Sequence, residues 1–195
     1  MPTRAAVWLK DEAAGCEFAE ITLEPDRLTA RGVAIGSSPV PYRLDYLLET
    51  GGAFVTLLLD VSSRGAGWSR RLLMRSNGTG SWLIHADAEG NADLPAPGGD
   101  PAALAGALDC DLGLSPVTNL MPILRHGLLS GSGQAEVTAA WVSVPDLRVR
   151  PDKQLYTSAG TNLIRYDALD GSFSAMITVD DDGLVVDYPG IARRI

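Results

Sequence analysis

Short apolar runs alternate with turn residues along the chain at intervals of about ten residues, the spacing of antiparallel β structure. Over residues 40–49 the alternation is clean: Val40, Tyr42, Leu44 and Tyr46 fall on one face, Arg43 and Asp45 on the other. Residues 54–61 are apolar on both faces, which predicts a central strand covered on both sides. Residues 68–75 follow, then Asn77-Gly78, a two-residue turn signal, then 81–85. Those three runs predict a meander. In the second half, 134–144, 153–158, 162–167 and 173–179 carry strand-forming residues, and Asp182-Gly183 turns the last of them into 184–188. About eleven strands are expected in all.

Between the halves the texture changes. Residues 91–100 form a Pro/Gly-rich loop, after which Asp100-Pro101 offers a helix start to the Ala-rich run 102–108. Ser115-Pro116 repeats that signal, and Pro122 limits the second helix to a turn or two. Residues 62–86 hold Arg64, Arg70, Arg71 and Arg75 with no acid, whereas 85–124 hold six acids and no Lys or Arg; each is read as a solvated face. The expected fold class is α+β, mainly β, as one domain over residues 1–195.

Composition narrows the function classes. The chain has 16 basic and 24 acidic residues, a net charge of −8, which argues against nucleic acid as a partner. No apolar run reaches the roughly 18 residues needed to span a bilayer, and the first ten residues lack the apolar stretch of an export signal. The expectation is a cytoplasmic chain whose Cys16 and Cys110 are reduced thiols.

Candidate catalytic motifs are sparse. Asp109-Cys110-Asp111 matches a D-x-D pattern, but the doubly wound framework that such metal or phosphoryl chemistry uses is missing from the strand texture. Asp180-Asp181-Asp182-Gly183 has consecutive rather than alternating acids and reads as a solvated hairpin tip, not a calcium loop. No G-x-S-x-G elbow occurs, and Gly78-Thr79-Gly80 and Gly131-Ser132-Gly133 lack phosphate-cradle spacing. No cofactor and no metal site is expected. What remains is an aromatic and polar set: Trp141, Tyr156, Tyr166 and Tyr188 with Asp109, Asp111, Asn119, Arg125 and Gln154. These suit an apolar hollow with convergent polar groups, and equally a β core with its phenols and indole satisfied at the edge. Asp111, beside the Pro116 turn, is expected to accept backbone N–H groups, while Asn119 and Arg125 are expected to reach a ligand.

The run Asp109-Cys110-Asp111-Leu112, Ser115-Pro116-Val117-Thr118-Asn119, Pro122-Ile123 and Arg125 resembles the central motif of a bacterial family described as glycolipid-binding. The resemblance continues through Ala140-Trp141-Val142, Gln154 and Tyr156, Arg165-Tyr166 and Phe173, and ends in Gly183-Leu184-Val185 with Asp187-Tyr188-Pro189-Gly190. Leu124 stands where the family more often has Arg, which leaves Arg125 without a neighbouring cation. The resemblance implies a strongly curved antiparallel sheet wrapping partly around one or two short helices, similar to lipoprotein-carrier domains. It implies non-enzymatic binding of an amphiphilic small molecule, a glycolipid by the family's description. The alternatives are an enzyme acting on a lipid or sugar ester through Asp109 or Asp111, and an interaction module without a ligand.

Overall fold

The computed structural model describes residues 3–11 and 14–195; Met1 and Pro2, part of the reading of the chain's start, lie outside it. Seven strands make up the first half: β1 (Thr3–Lys10), β2 (Gly15–Leu23), β3 (Leu28–Gly36), β4 (Tyr42–Thr50), β5 (Thr56–Gly65), β6 (Trp68–Ser76) and β7 (Trp82–Gly90). Then come β8 (Asp109–Leu112), a short helix α1 (Leu120–Arg125) and β9 (Gln134–Val142). The chain ends with β10 (Val149–Gly160), β11 (Leu163–Ala168), β12 (Ser174–Val179), β13 (Val185–Tyr188) and β14 (Ala192–Arg194).

All fourteen strands belong to one long curved open sheet, in the order β7-β6-β5-β4-β3-β2-β1-β14-β13-β12-β11-β10-β9-β8. Every pairing is antiparallel except β8 with β9. The mainly β class and the strong curvature are as expected, and so is the meander β5-β6-β7. The sheet curls far enough for β8 to return against β5: the Thr56 N–H donates to the Leu108 carbonyl (3.0 Å), and the Thr56 hydroxyl accepts from the Cys110 N–H (3.0 Å). Leu120, Met121 and Ile123 of α1 are buried inside the curl.

Several local expectations are corrected. β5 is covered on one face only, with Thr56, Leu59, Val61 and Ser63 inward, because a bulge opposite Glu49 and Thr50 shifts the register and turns Leu57 outward. The Asn77-Gly78 turn is longer than two residues: the Asn77 side chain accepts from both the Thr79 and Ser81 N–H groups, and Trp82 pairs with Ser76 across it. Asp100 caps as expected, accepting from the Ala102 N–H, but only a 3-10 turn (Pro101–Leu104) forms there. Gly106, at φ 87°, turns the chain away so that its N–H donates to the Gly80 carbonyl (2.8 Å). The Asp180-Asp181-Asp182 tip is a hairpin whose carboxylates are all engaged: Asp180 with Arg194 (2.6 Å), Asp181 with Asn162 (2.7 Å), Asp182 with Arg4 (2.7 Å).

Candidate functional site

Strand periodicity assembles the site. Asp109 and Asp111 project from one face of β8, while Cys110 and Leu112 project into the main core. Cross-strand pairing sets Asp111, Trp141 and Arg150 in one row over β8, β9 and β10, and Asp109, Ala139 and Asp152 in the next. Gln154 and Tyr156 continue along the same face of β10, and Tyr156 pairs with Tyr166 of β11.

Asp109 receives two hydrogen bonds from the Arg125 guanidinium, one of 2.7 Å from Nη1 to Oδ1 and a second from Nη2 to Oδ2. Only 4% of the Asp109 side chain and 10% of the Arg125 side chain are exposed, so this is a buried ion pair. Asp111 takes neutral donors instead: the Thr118 hydroxyl (2.9 Å) and the Gln154 amide (2.7 Å). No backbone N–H reaches it among the described contacts. The same amide nitrogen donates to Asp152 (3.1 Å), and the Tyr156 hydroxyl is shared between the Asn119 (3.1 Å) and Gln154 (3.2 Å) side-chain oxygens. Burial pushes the Asp111 carboxyl above the ordinary carboxylate range; the Gln154 and Thr118 donors oppose that shift, and the Asp152 and Asp109 charges add to it.

A cavity of about 370 Å³ opens in front of this network. Five of the predicted residues line it: Asp111, Asn119, Trp141, Tyr166 and Tyr188. Asp109, Arg125, Gln154 and Tyr156 stand behind the wall and hold it. Tyr166, Tyr188 and Phe173 form an aromatic triangle with ring centres 6.0 Å apart, backed by Tyr156 at 5.2 Å from Tyr166. Burial raises the Tyr166 and Tyr188 phenols, so both stay protonated. Among the described residues neither hydroxyl has a hydrogen-bond partner in the protein; the rings are largely buried and the hydroxyls keep solvent access.

Sequence reasoning missed Arg150, Asp152 and Phe173, which also line the cavity. Arg150 lies over the Trp141 ring at 4.5 Å and donates to Asp152 (2.9 Å). The signal was present: 150, 152, 154 and 156 share one face by strand period, so Gln154 and Tyr156 imply the other two. A second polar cluster, also missed, lies behind the cavity wall. Lys10 and Glu17, with side chains 3% and 1% exposed, pair at 2.7 Å, and Tyr46 (2.8 Å) and Ser115 (2.6 Å) both donate to Glu17. The Lys10 ammonium also holds the carbonyl of Leu114, a residue at φ 63° in the cavity wall. Among the described residues no cluster of His, Cys, Asp and Glu is placed to hold a metal, and no helix is long and apolar enough to cross a membrane.

Residues 5–194 match the model of a family described as "Putative glycolipid-binding". The chain belongs to that family. The fold is shared by a crystal structure of a DUF1089 family protein from Pseudomonas aeruginosa, which is 32% identical, has a TM-score of 0.70 and is matched over 92% of each chain. No curated protein matches the chain. In this glycolipid-binding family member the central motif, residues 109–125, supplies both the Asp109–Arg125 pair and the polar wall of the cavity.

Proposed function

We propose that the protein binds, without chemical conversion, the hydroxyl-rich headgroup of an amphiphile in the cavity bounded by Asp111, Trp141, Tyr166 and Tyr188. The observation that carries this reading is the pair of Tyr166 and Tyr188 hydroxyls, which belong to residues lining the cavity, keep solvent access and have no partner among the described residues. A phenol with no protein partner at a cavity is free to bond a ligand in place of water, and ligand hydroxyls would meet these two while also donating to Asp111 and Asp152. Trp141 and Phe173 offer ring surface to the apolar side of a sugar, a division of labour usual in small-ligand sites. The family description, glycolipid-binding, supports the same class.

Trp8, Trp68 and Trp82 are buried in the core, so Trp141 is the tryptophan placed to report on the cavity. Titration with short-chain alkyl glycosides should change its fluorescence saturably, with fatty acids of equal chain length much weaker, and Trp141→Phe should abolish the signal. Native mass spectrometry should find a lipid carried through purification. A flat titration and an empty native spectrum together would overturn the reading.

A further inference from the structure

The charges around the cavity do not balance. Arg125 neutralises Asp109, and Arg150 pairs with Asp152 at 2.9 Å. Among the described residues Asp111 has no such partner: its two oxygens accept from the Thr118 hydroxyl and the Gln154 amide, both uncharged. A carboxylate taken from water without a cation is unfavourable, and the usual remedy is protonation or an opposite charge brought to it. Each Asp111 oxygen retains room for another donor. The neighbourhood adds to the attraction: the aromatic rings of Trp141, Tyr166, Tyr188 and Phe173 line the same cavity, and the negative face of an aromatic ring favours a cation.

From this juxtaposition we propose that the preferred headgroup carries a protonated amine, received by Asp111. The inference rests on the headgroup-binding reading above and adds the charge of the group that is bound. The amine lies against Asp111, and hydroxyls on the same headgroup meet Tyr166 and Tyr188. At roughly 30 Å³ per water-sized group, about 370 Å³ holds on the order of a dozen non-hydrogen atoms. That matches one amino-sugar ring, and leaves room to spare around a smaller ethanolamine-type group, with the alkyl chain leaving the cavity. An anionic headgroup meets Asp111 and Asp152 and is rejected; among the described lining residues only Arg150 opposes them.

Affinity for an amine then depends on pH with a definite sign. The groups facing Asp111 are Asp109 on its own strand, Asp152 and Arg150 on β10, Arg125 on α1, and the phenols of Tyr156, Tyr166 and Tyr188. The phenols are pushed upward and do not ionise in the range tested. Because burial raises the Asp111 carboxyl, it takes its proton at a higher pH than an ordinary aspartate as the solution is acidified, and the amine contact goes with it.

The test uses the full chain and four probes with one octyl chain: octyl glucoside, octyl glucosaminide, octyl glucuronide and 2-(octyloxy)ethylamine, each titrated calorimetrically below its micelle concentration. At about pH 6.5, where an α-amino-like amine is charged, the glucosaminide should bind about tenfold tighter than the glucoside, with the glucuronide weakest. Tight binding of the ethanolamine-type probe as well would mean that the ammonium alone is read; preference for the glucosaminide alone would mean that the sugar ring is read with it. In Asp111→Asn the ratio of amine to neutral affinity should fall to about one. Should that variant not fold, the same ratio in the wild-type protein should fall toward one on acidification to about pH 4. Equal affinity for glucoside and glucosaminide, a pH-independent ratio, or a glucuronide that binds tightest would overturn the inference and leave the headgroup reading standing. Failure of all four probes would overturn both.

Discussion

At Arg125 both terminal guanidinium nitrogens bond one carboxylate. Its sequence context suggested a headgroup contact; its guanidinium is instead spent on Asp109, behind the cavity wall. Removing one member of such a buried pair strands the other charge, so Arg125→Ala should cost about 3–5 kcal/mol and lower the melting temperature sharply. The double variant Arg125→Met, Asp109→Leu should recover most of that loss, because neither charge is then left alone. Thermal melts of the two variants check this; an Arg125→Ala protein as stable as the wild type would show that the pair contributes nothing. Asp111 moves the other way: it lies at the cavity and takes its hydrogen bonds from Thr118 and Gln154 side chains rather than from backbone.

Elements β1 and β2 explain a gap in the sequence pattern. The inward positions of β1 are Ala6, Trp8 and Lys10, and those of β2 are Glu17, Ala19 and Ile21, while Val7, Leu9 and Phe18 face outward. One charged residue buried in each strand scrambles the alternation, so neither announces itself. Their pairing inside the sheet leaves neither charge buried alone. The pair also braces the cavity wall through Leu114, which gives it a consequence beyond stability. Lys10→Met leaves Glu17 buried without a cation and should cost about 3–5 kcal/mol, with a measurable loss of alkyl glycoside affinity as the Leu114 segment loosens. Melting curves and titrations on Lys10→Met and on Lys10→Met, Glu17→Gln check it; the double variant should regain stability but not the hold on Leu114.

Across the whole molecule, the two halves of the sheet are joined by the β1–β14 pairing, in which Trp8, Leu9 and Lys10 face Arg194, Arg193 and Ala192. Trp8 adds a hydrogen bond to the Val185 carbonyl (2.9 Å). The larger hydrophobic cluster crosses that seam: it includes Leu44 and Leu72 from the first half and Val142 and Leu184 from the second, and Ile191 also packs against the second cluster. A core shared in this way should melt as a unit. Urea unfolding followed by far-UV circular dichroism and by tryptophan fluorescence is expected to give coincident single transitions; two separated transitions would divide the chain into independently folding parts.

The strand-and-turn texture is legible in the residues alone, because period-two alternation and turn residues act locally and need no partner to be read. The meander β5-β6-β7, the cap at Asp100 and the hairpin at Asp182-Gly183 are of this kind. The sequence also marked residues 109–125 as the segment where chemistry collects. Which of those side chains line the cavity depends on the fold. Asp109 and Asp111 are two residues apart on one strand, and nothing local separates them. Arg125 comes from α1 to cancel the first, while Gln154 and Thr118 reach the second with no charge to offer. The placing of Asp152 on the cavity face, with Arg150 at its half-exposed rim over Trp141, and the burial of Lys10 against Glu17 also depend on neighbours from other strands: a polar residue reads as solvent-facing until what packs against it is in place.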